Sequence, residues 1–156
     1  MNFDSDLDSP SVQIPIKLLA DGAEEPLYAK PGDAACDLRS CLAMEIPPLS
    51  RALVPTGIAL EIPAGFGGLV LPRSGLAINF GITCLNAPGL IDSGYRGEIK
   101  IILFNSDLAN VFAINPGDRI AQLIVVAIPT MLFSQVDELS ETARGTGGFG
   151  HTGIGR

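Results

Sequence analysis

Between two apolar runs, residues Asn86 to Glu98 read N-A-P-G-L-I-D-S-G-Y-R-G-E and set an amide (Asn86), an aspartate (Asp92) and a phenol (Tyr95) among turn-forming glycines and a proline. Loops carried on rigid scaffolds are where binding and catalytic groups concentrate. The same stretch also fits a plain tight turn, Asp92-Ser93-Gly94, in which the aspartate bonds its own backbone. Taken alone, it leaves both readings open.

Four further stretches carry polar groups that a fold by itself does not require. They are P-G-D-A-A-C-D-L (Pro31 to Leu38, containing Asp37), P-R-S-G-L-A (Pro72 to Ala77), G-D-R-I-A-Q-L (Gly117 to Leu123) and R-G-T-G-G-F-G-H-T-G (Arg144 to Gly153). Each has a dull explanation when read singly: a turn, a helix cap, a strand edge, a tail. Arg73 could serve an ion pair between subunits. Alternation along a strand sets Gln122 on the face opposite Leu123, where it could simply be solvated.

The elements that must position these groups are strands. Gly 18 and Pro 12 punctuate the chain at short intervals, and no long window keeps apolar residues at helical spacing between a capped start and stop. Short β-branched runs predict strands over Ile14 to Leu19, Ala52 to Ile62, Gly68 to Leu71, Glu98 to Asn105, Val111 to Ile114, Arg119 to Ala127 and Met131 to Val136. Turns fall at Pro63-Ala64-Gly65 and Pro116-Gly117-Asp118. Arg73 to Ala77 is the best short helix, with Ser74 near its start. An all-β sandwich or barrel follows.

Composition bounds the partners. A chain of 156 residues makes one domain with a real core, and 47% hydrophobic against 17% charged residues is apolar enough that some surface is expected to meet another subunit. A net charge of -7 argues against unspecific nucleic-acid binding, which needs a broad basic face. A phosphorylated small ligand fits if a few arginines converge on it or a divalent cation screens it. Cys36, Cys41 and Cys84 form no C-x-x-C pair and read as free thiols of a reducing compartment. With no secretory leader pattern and no apolar run near the roughly 20 residues that span a bilayer, the expectation is a soluble cytoplasmic protein with no membrane partner. Residues 1–12 are polar and acidic and expected to be disordered, 13–139 form the β domain, and 140–156 form a mobile glycine-rich arm.

The arm contains two decoys. Gly145 to Gly150 matches the dinucleotide pattern G-x-G-x-x-G, and Gly145 to Thr152 nearly matches a phosphate-binding P-loop with His151 in place of the lysine. Neither has the strand before it or the helix after it that those folds require. What survives is that free backbone N–H groups beside Arg144 could wrap a phosphate chain.

The five stretches in this order, with Asn86, Asp92 and Tyr95 at matching offsets, closely resemble the five motifs of the trimeric dUTP pyrophosphatase (dUTPase) family across about Pro31 to Gly153. The resemblance implies a distorted β jelly roll of the β-clip type in a homotrimer with shared active sites. It implies hydrolysis of dUTP to dUMP and pyrophosphate by attack of water on the α-phosphorus. Asp92 corresponds to the carboxylate that holds and deprotonates that water. Arg73, Ser74 and Gly75 resemble the phosphate loop, and Gln122 the amide donor to the α-phosphate. Asp37 resembles the carboxylate that holds Mg2+ through water, the metal resting mainly on the triphosphate. Asn86, the backbone of Leu90 and Ile91 and the strand through Lys100 resemble the hairpin that reads uracil, and Tyr95 the ring beneath deoxyribose. Arg144 resembles the γ-phosphate contact and Phe149 the ring stacked on uracil. The chain departs from the family pattern at Ala35, Cys36 and His151, where glycine, an aromatic residue and serine are usual. A dCTP deaminase of the same fold, a non-catalytic dUTP-binding regulator and a ligand-free trimeric module are the rival readings.

Overall fold

Along Lys100–Asn105 alternate residues turn inward, so that Ile101, Leu103 and Asn105 are buried while their neighbours are not. That period of two is the signature of a strand packed on one face, and it recurs through the computed structural model, which describes residues 11–147. Among these the strands are β1 (Ile16–Leu18), β2 (Cys36–Arg39), β3 (Met44–Ile46), β4 (Arg51–Pro55), β5 (Ile58–Leu60), β6 (Phe66–Leu71), β7 (Ile82–Cys84), β8 (Gly89–Ile91), β9 (Lys100–Asn105), β10 (Phe112–Ile114) and β11 (Arg119–Ala127). The helix α1 (Ser74–Phe80) sits between β6 and β7.

Every pairing is antiparallel. A four-stranded sheet runs β2-β11-β6-β8, a three-stranded sheet β4-β9-β7, and two ribbons pair β1 with β5 and β10 with β3. This is the all-β architecture that the strand pattern predicts and the distorted jelly roll that the family resemblance implies. Leu38, Ile46, Val54, Ile58, Ile62, Ile82, Ile101, Leu103 and Ile120 fill the core at or near zero exposure. Asn105 is buried among them and fully bonded: its Nδ2 donates to the carbonyls of Ile46 (3.0 Å) and Asn110 (2.9 Å), and its Oδ1 accepts from the Asp107 N–H (3.0 Å). A buried amide left unpaired would cost about 1–3 kcal/mol.

Two expectations need correction. The run Ala52 to Ile62 is two strands, broken where Gly57 takes φ 69 and a Cβ would come within 2.8 Å of the Ala23 Cβ. Only glycine satisfies both demands at once. Strands β2, β3, β7 and β8 are three or four residues long and held by their partners' edges more than by their own composition. Met131 to Val136 is not a strand: it pairs with no edge among the described residues, and Met131, Leu132 and Phe133 are 74%, 91% and 91% exposed. Strand propensity without a partner edge leaves backbone hydrogen bonds unmade.

Candidate functional site

The chain positions its candidate groups in two clefts. The first, of about 440 Å³, is bordered by Asn86, Leu90, Ile91, Asp92, Tyr95 and Lys100. Strand β8 anchors this loop to β6 through Leu69↔Leu90 and Val70↔Gly89. Beyond β8 the chain turns, with the Tyr95 N–H donating to the Asp92 carbonyl (3.0 Å), and Asp92 stands exposed at the start of the turn. The Tyr95 hydroxyl donates to the Glu98 carbonyl (2.9 Å), which lays the ring across Gly97, and a Cβ at Gly97 would fall 2.6 Å from the ring Cζ. Gly89 does the same for Asn86, whose Nδ2 would be 3.3 Å from an added Cβ. The Arg96 guanidinium ties the turn together by donating to the carbonyls of Ser93 (2.6 Å) and Tyr95 (3.0 Å). Lys100 pairs with Glu98 (3.2 Å), whose other oxygen accepts from the Gly57 N–H (3.0 Å). The amide, carboxylate and phenol thus come from one contiguous, internally bonded segment, and the exposed residues Leu90 and Lys100 lie at the cleft wall.

A second cleft, of about 370 Å³, gathers Asp37, Arg73, Ser74, Gly75, Arg119 and Gln122 from three separate segments. Asp37, Gln122 and Leu71 form one row across β2, β11 and β6, and residues directly opposite in such a row share a face. Gln122 is half-buried on that face while Leu123 turns into the core, as alternation predicts. Arg73 occupies the N-cap position of α1 without a capping side chain. Its Nε pairs with Asp37 Oδ1 at 3.0 Å and its Nη1 donates to the Arg119 carbonyl at 2.8 Å, so its ion pair lies within the chain. The Gln122 amide donates to the Pro72 carbonyl (2.9 Å). A Cβ at Gly75 would meet nothing within 4 Å, so the space in front of that backbone is open to a ligand.

Arg119 was not singled out by sequence reasoning, and a bulge explains why. In strict alternation residues 119 and 122 point to opposite faces. Here Arg119 pairs with Arg39 and Gln122 with Asp37, while Ile120 and Ala121, both buried, together oppose Leu38. The extra residue re-aims the strand, as bulges beside functional sites do. Arg119 Nη1 consequently reaches Asp37 Oδ2 at 3.1 Å.

The two clefts have no lining residue in common. Val70 borders the first and Leu71 the second, and consecutive strand residues face opposite sides of the sheet. Arg144 lines neither; its Nε donates to the Gly147 carbonyl (3.0 Å). Phe149 and His151 lie outside the described residues.

A sequence model of the dUTPase family matches residues 21–153. The chain belongs to the dUTPase family. It is 48% identical over 143 residues, 92% of its own length and 80% of the relative's, to a deoxyuridine 5'-triphosphate nucleotidohydrolase of Thermobifida fusca. A protein of the same name from Rhizobium etli is 49% identical over 138 residues, 86% and 88% of the two chains. Among solved structures, a dUTPase of Staphylococcus bacteriophage 80alpha with dUpNHpp superposes with a TM-score of 0.84 at 28% identity, covering 92% of this chain and 100% of that one. A mutant dUTPase of phage phi11 of S. aureus, with a structural Mg(II) ion, gives 0.75 at 27% identity over 83% and 100%.

Of the departures from the family pattern, Cys36 falls off the Asp37 face of β2. Cys36 pairs in register with Leu123, on the side opposite Asp37, and borders a separate apolar space with Tyr28. Burial pushes its thiol up from the ordinary range, against a hydrogen bond from Tyr28 that lowers it. Ala35 does border the Asp37 cleft. No group of three or more His, Cys, Asp or Glu among the described residues could enclose a metal. Of the two acids at this cleft, Asp33 is turned to the Lys30 N–H, and Asp37 beside two guanidiniums fits a magnesium ion that rests mainly on phosphate oxygens, since Mg2+ commonly binds by one or two carboxylates.

Proposed function

We propose that the chain hydrolyses dUTP to dUMP and pyrophosphate, with Asp92 as the base for the attacking water and the Arg73 cleft as the phosphate site. The observation that carries this reading is the meeting of Asp37, Arg73 and Gln122, from three segments of a dUTPase-family chain, around one open space. Planar guanidinium donors match phosphate oxygens, and the Ser74 hydroxyl and Gly75 backbone add uncharged donors. Phosphoryl transfer asks a protein chiefly to position water and offset charge. Asp92, exposed at the mouth of the first cleft, is free to hold that water and take its proton. Asn86 and the backbone of Leu90, Ile91 and Lys100 supply paired donors and acceptors for the uracil edge, and Tyr95 backs the deoxyribose. Asp37 would hold magnesium through water, and the bound ion supplies charge neutralisation on the phosphates.

The clefts have no lining residue in common, which supports a site completed by a second copy of the chain. A homotrimer with shared sites supplies that copy and gives the exposed apolar segment from Met131 to Leu139 a surface to cover. Arg144 and Phe149 then close over the γ-phosphate and the base from a third copy. The reaction limits uracil available to DNA synthesis and supplies dUMP for thymidylate, in the cytoplasm. Among the described residues no helix is long and apolar enough to cross a membrane.

Pyrophosphate release from each deoxynucleoside triphosphate, measured with Mg2+, tests the reading. Turnover confined to dUTP is expected. Ammonia from dCTP, binding without turnover, or silence would overturn it in favour of a deaminase, a regulator or a structural module. Removing everything after Ser140 is expected to leave an oligomer of unchanged size that is nearly inactive; loss of folding would instead make the arm structural.

A further inference from the structure

We infer that Arg119 is a positioning residue of the phosphate cleft, acting through Asp37 so that a triphosphate can bind there even when no divalent cation accompanies it. The inference rests on the proposed reading that this cleft takes the phosphates. Three contacts close a ring: Arg73 Nε to Asp37 Oδ1 (3.0 Å), Arg119 Nη1 to Asp37 Oδ2 (3.1 Å), and Arg73 Nη1 to the Arg119 carbonyl (2.8 Å). Both oxygens of one carboxylate are thereby occupied by cations, and Arg73 is gripped from two sides while three of its five N–H groups stay free for a ligand. The bulge at Ile120 and Ala121 exists in the one place that delivers this contact, since without it Arg119 would face away from Asp37.

The charges make the consequence directional. Asp37 has only 13% of its side chain exposed and stands in the wall that phosphates must approach. The other acid at the rim, Asp33, is turned back to accept from the Lys30 backbone N–H (2.8 Å). With Arg119 present, Asp37 is matched by two guanidiniums and the three groups together attract an anion. Without it, Arg73 alone must offset Asp37, and only a bound cation can screen the carboxylate from the phosphates.

The test is calorimetric titration of the full chain with dUpNHpp, in chelator and in excess Mg2+, for the wild type, Arg119→Ala, Arg119→Lys and the double variant Asp37→Asn/Arg119→Ala. Arg119→Ala is expected to weaken binding about tenfold more in chelator than in magnesium. Arg119→Lys should recover most of that difference, because it restores the charge. The double variant should bind in chelator within about threefold of wild type, because the carboxylate that needed neutralising is gone. Equal losses with and without magnesium, or no recovery in the double variant, would overturn the inference and leave Arg119 a structural or direct phosphate contact. Absence of binding by the wild type in both conditions would overturn the reading of the cleft and this inference with it. Should Arg119→Ala fail to fold, Arg119→Gln keeps the side-chain stem and carries the same comparison.

Discussion

The two clefts are built on opposite principles. The Asp92 cleft is local: nearly all its polar groups come from residues 86–100, and the turn holds itself through Tyr95, Arg96 and Glu98. The Arg73 cleft is non-local: its groups come from β2, from the start of α1 and from β11, joined by ion pairs across separations of 36 to 82 residues in sequence. A contiguous loop sets angles finely without needing the rest of the fold, which suits a group that must aim a water. A cross-sheet cluster accumulates charge that no single loop could hold without repelling itself. The difference predicts that damage to the first cleft appears in the chemical step and damage to the second in binding.

The largest effect tests that division most sharply. Asp92→Asn keeps the shape of the turn, because the turn is closed by the Asp92 carbonyl and not its side chain. A general base contributes typically about 10²–10⁴-fold, so kcat is expected to fall by that factor while affinity for dUpNHpp changes little. Steady-state rates together with calorimetry check this, and an unchanged kcat would take Asp92 out of the mechanism. In the other cleft, Arg73→Ala removes the groups at both Asp37 Oδ1 and the Arg119 carbonyl. Hydrogen bonds to charged groups are worth about 1.5–3 kcal/mol, so kcat/KM is expected to drop roughly 10- to 100-fold, chiefly through KM. If Arg73→Ala instead lowered kcat alone, the division between the clefts would collapse.

What the sequence made legible follows the same line. Asn86, Asp92 and Tyr95 stood out as candidates because they lie in one stretch, yet that stretch alone fitted a plain turn equally, and only its place among the other four motifs separated the two readings. Strand β11 was predicted from Arg119 to Ala127, its observed limits, because a largely apolar run of nine residues rich in Ile and Val follows directly on the Pro116-Gly117-Asp118 turn. Asp37, Arg73 and Gln122 carried a signal only as members of ordered motifs, and nothing in their spacing says that they meet. Arg119 was lost to the bulge, since counting by twos places it on the wrong face. Met131 to Val136 misled in the other direction, having the composition of a strand and no edge among the described residues to pair with.

A smaller effect probes how finely the first cleft is set. Gly97 has no positive φ, so alanine suits its backbone, yet the added Cβ would strike the Tyr95 ring. The ring must shift and give up its hydrogen bond to the Glu98 carbonyl, a loss of about 0.5–1.5 kcal/mol. Gly97→Ala is therefore expected to raise KM for dUTP by roughly 2- to 10-fold and to lower thermal stability slightly. Tyr95→Phe, which removes only the hydroxyl, should reproduce part of this, and no change in either would remove the ring from sugar recognition.

The smallest effect is invisible at neutral pH and separates the clefts by their neighbouring thiols. Cys84, two residues before Asn86, is buried, and burial alone pushes its thiol up to about 11. Cys36, beside Asp37, is only half-buried. A thiol whose pKa is raised on folding contributes stability that is complete below its ordinary value near 9 and is lost as pH climbs from there through about 11. Unfolding of wild type in denaturant should therefore become steadily easier between pH 9 and 11, with a shallower slope for Cys84→Ala, whatever its stability at pH 7. Over the same range a maleimide should modify Cys36 before Cys84. Earlier labelling of Cys84 would mean that the base-side loop opens more readily than the charge-clamped phosphate cleft. That outcome would reverse the order of rigidity that the locally bonded turn implies.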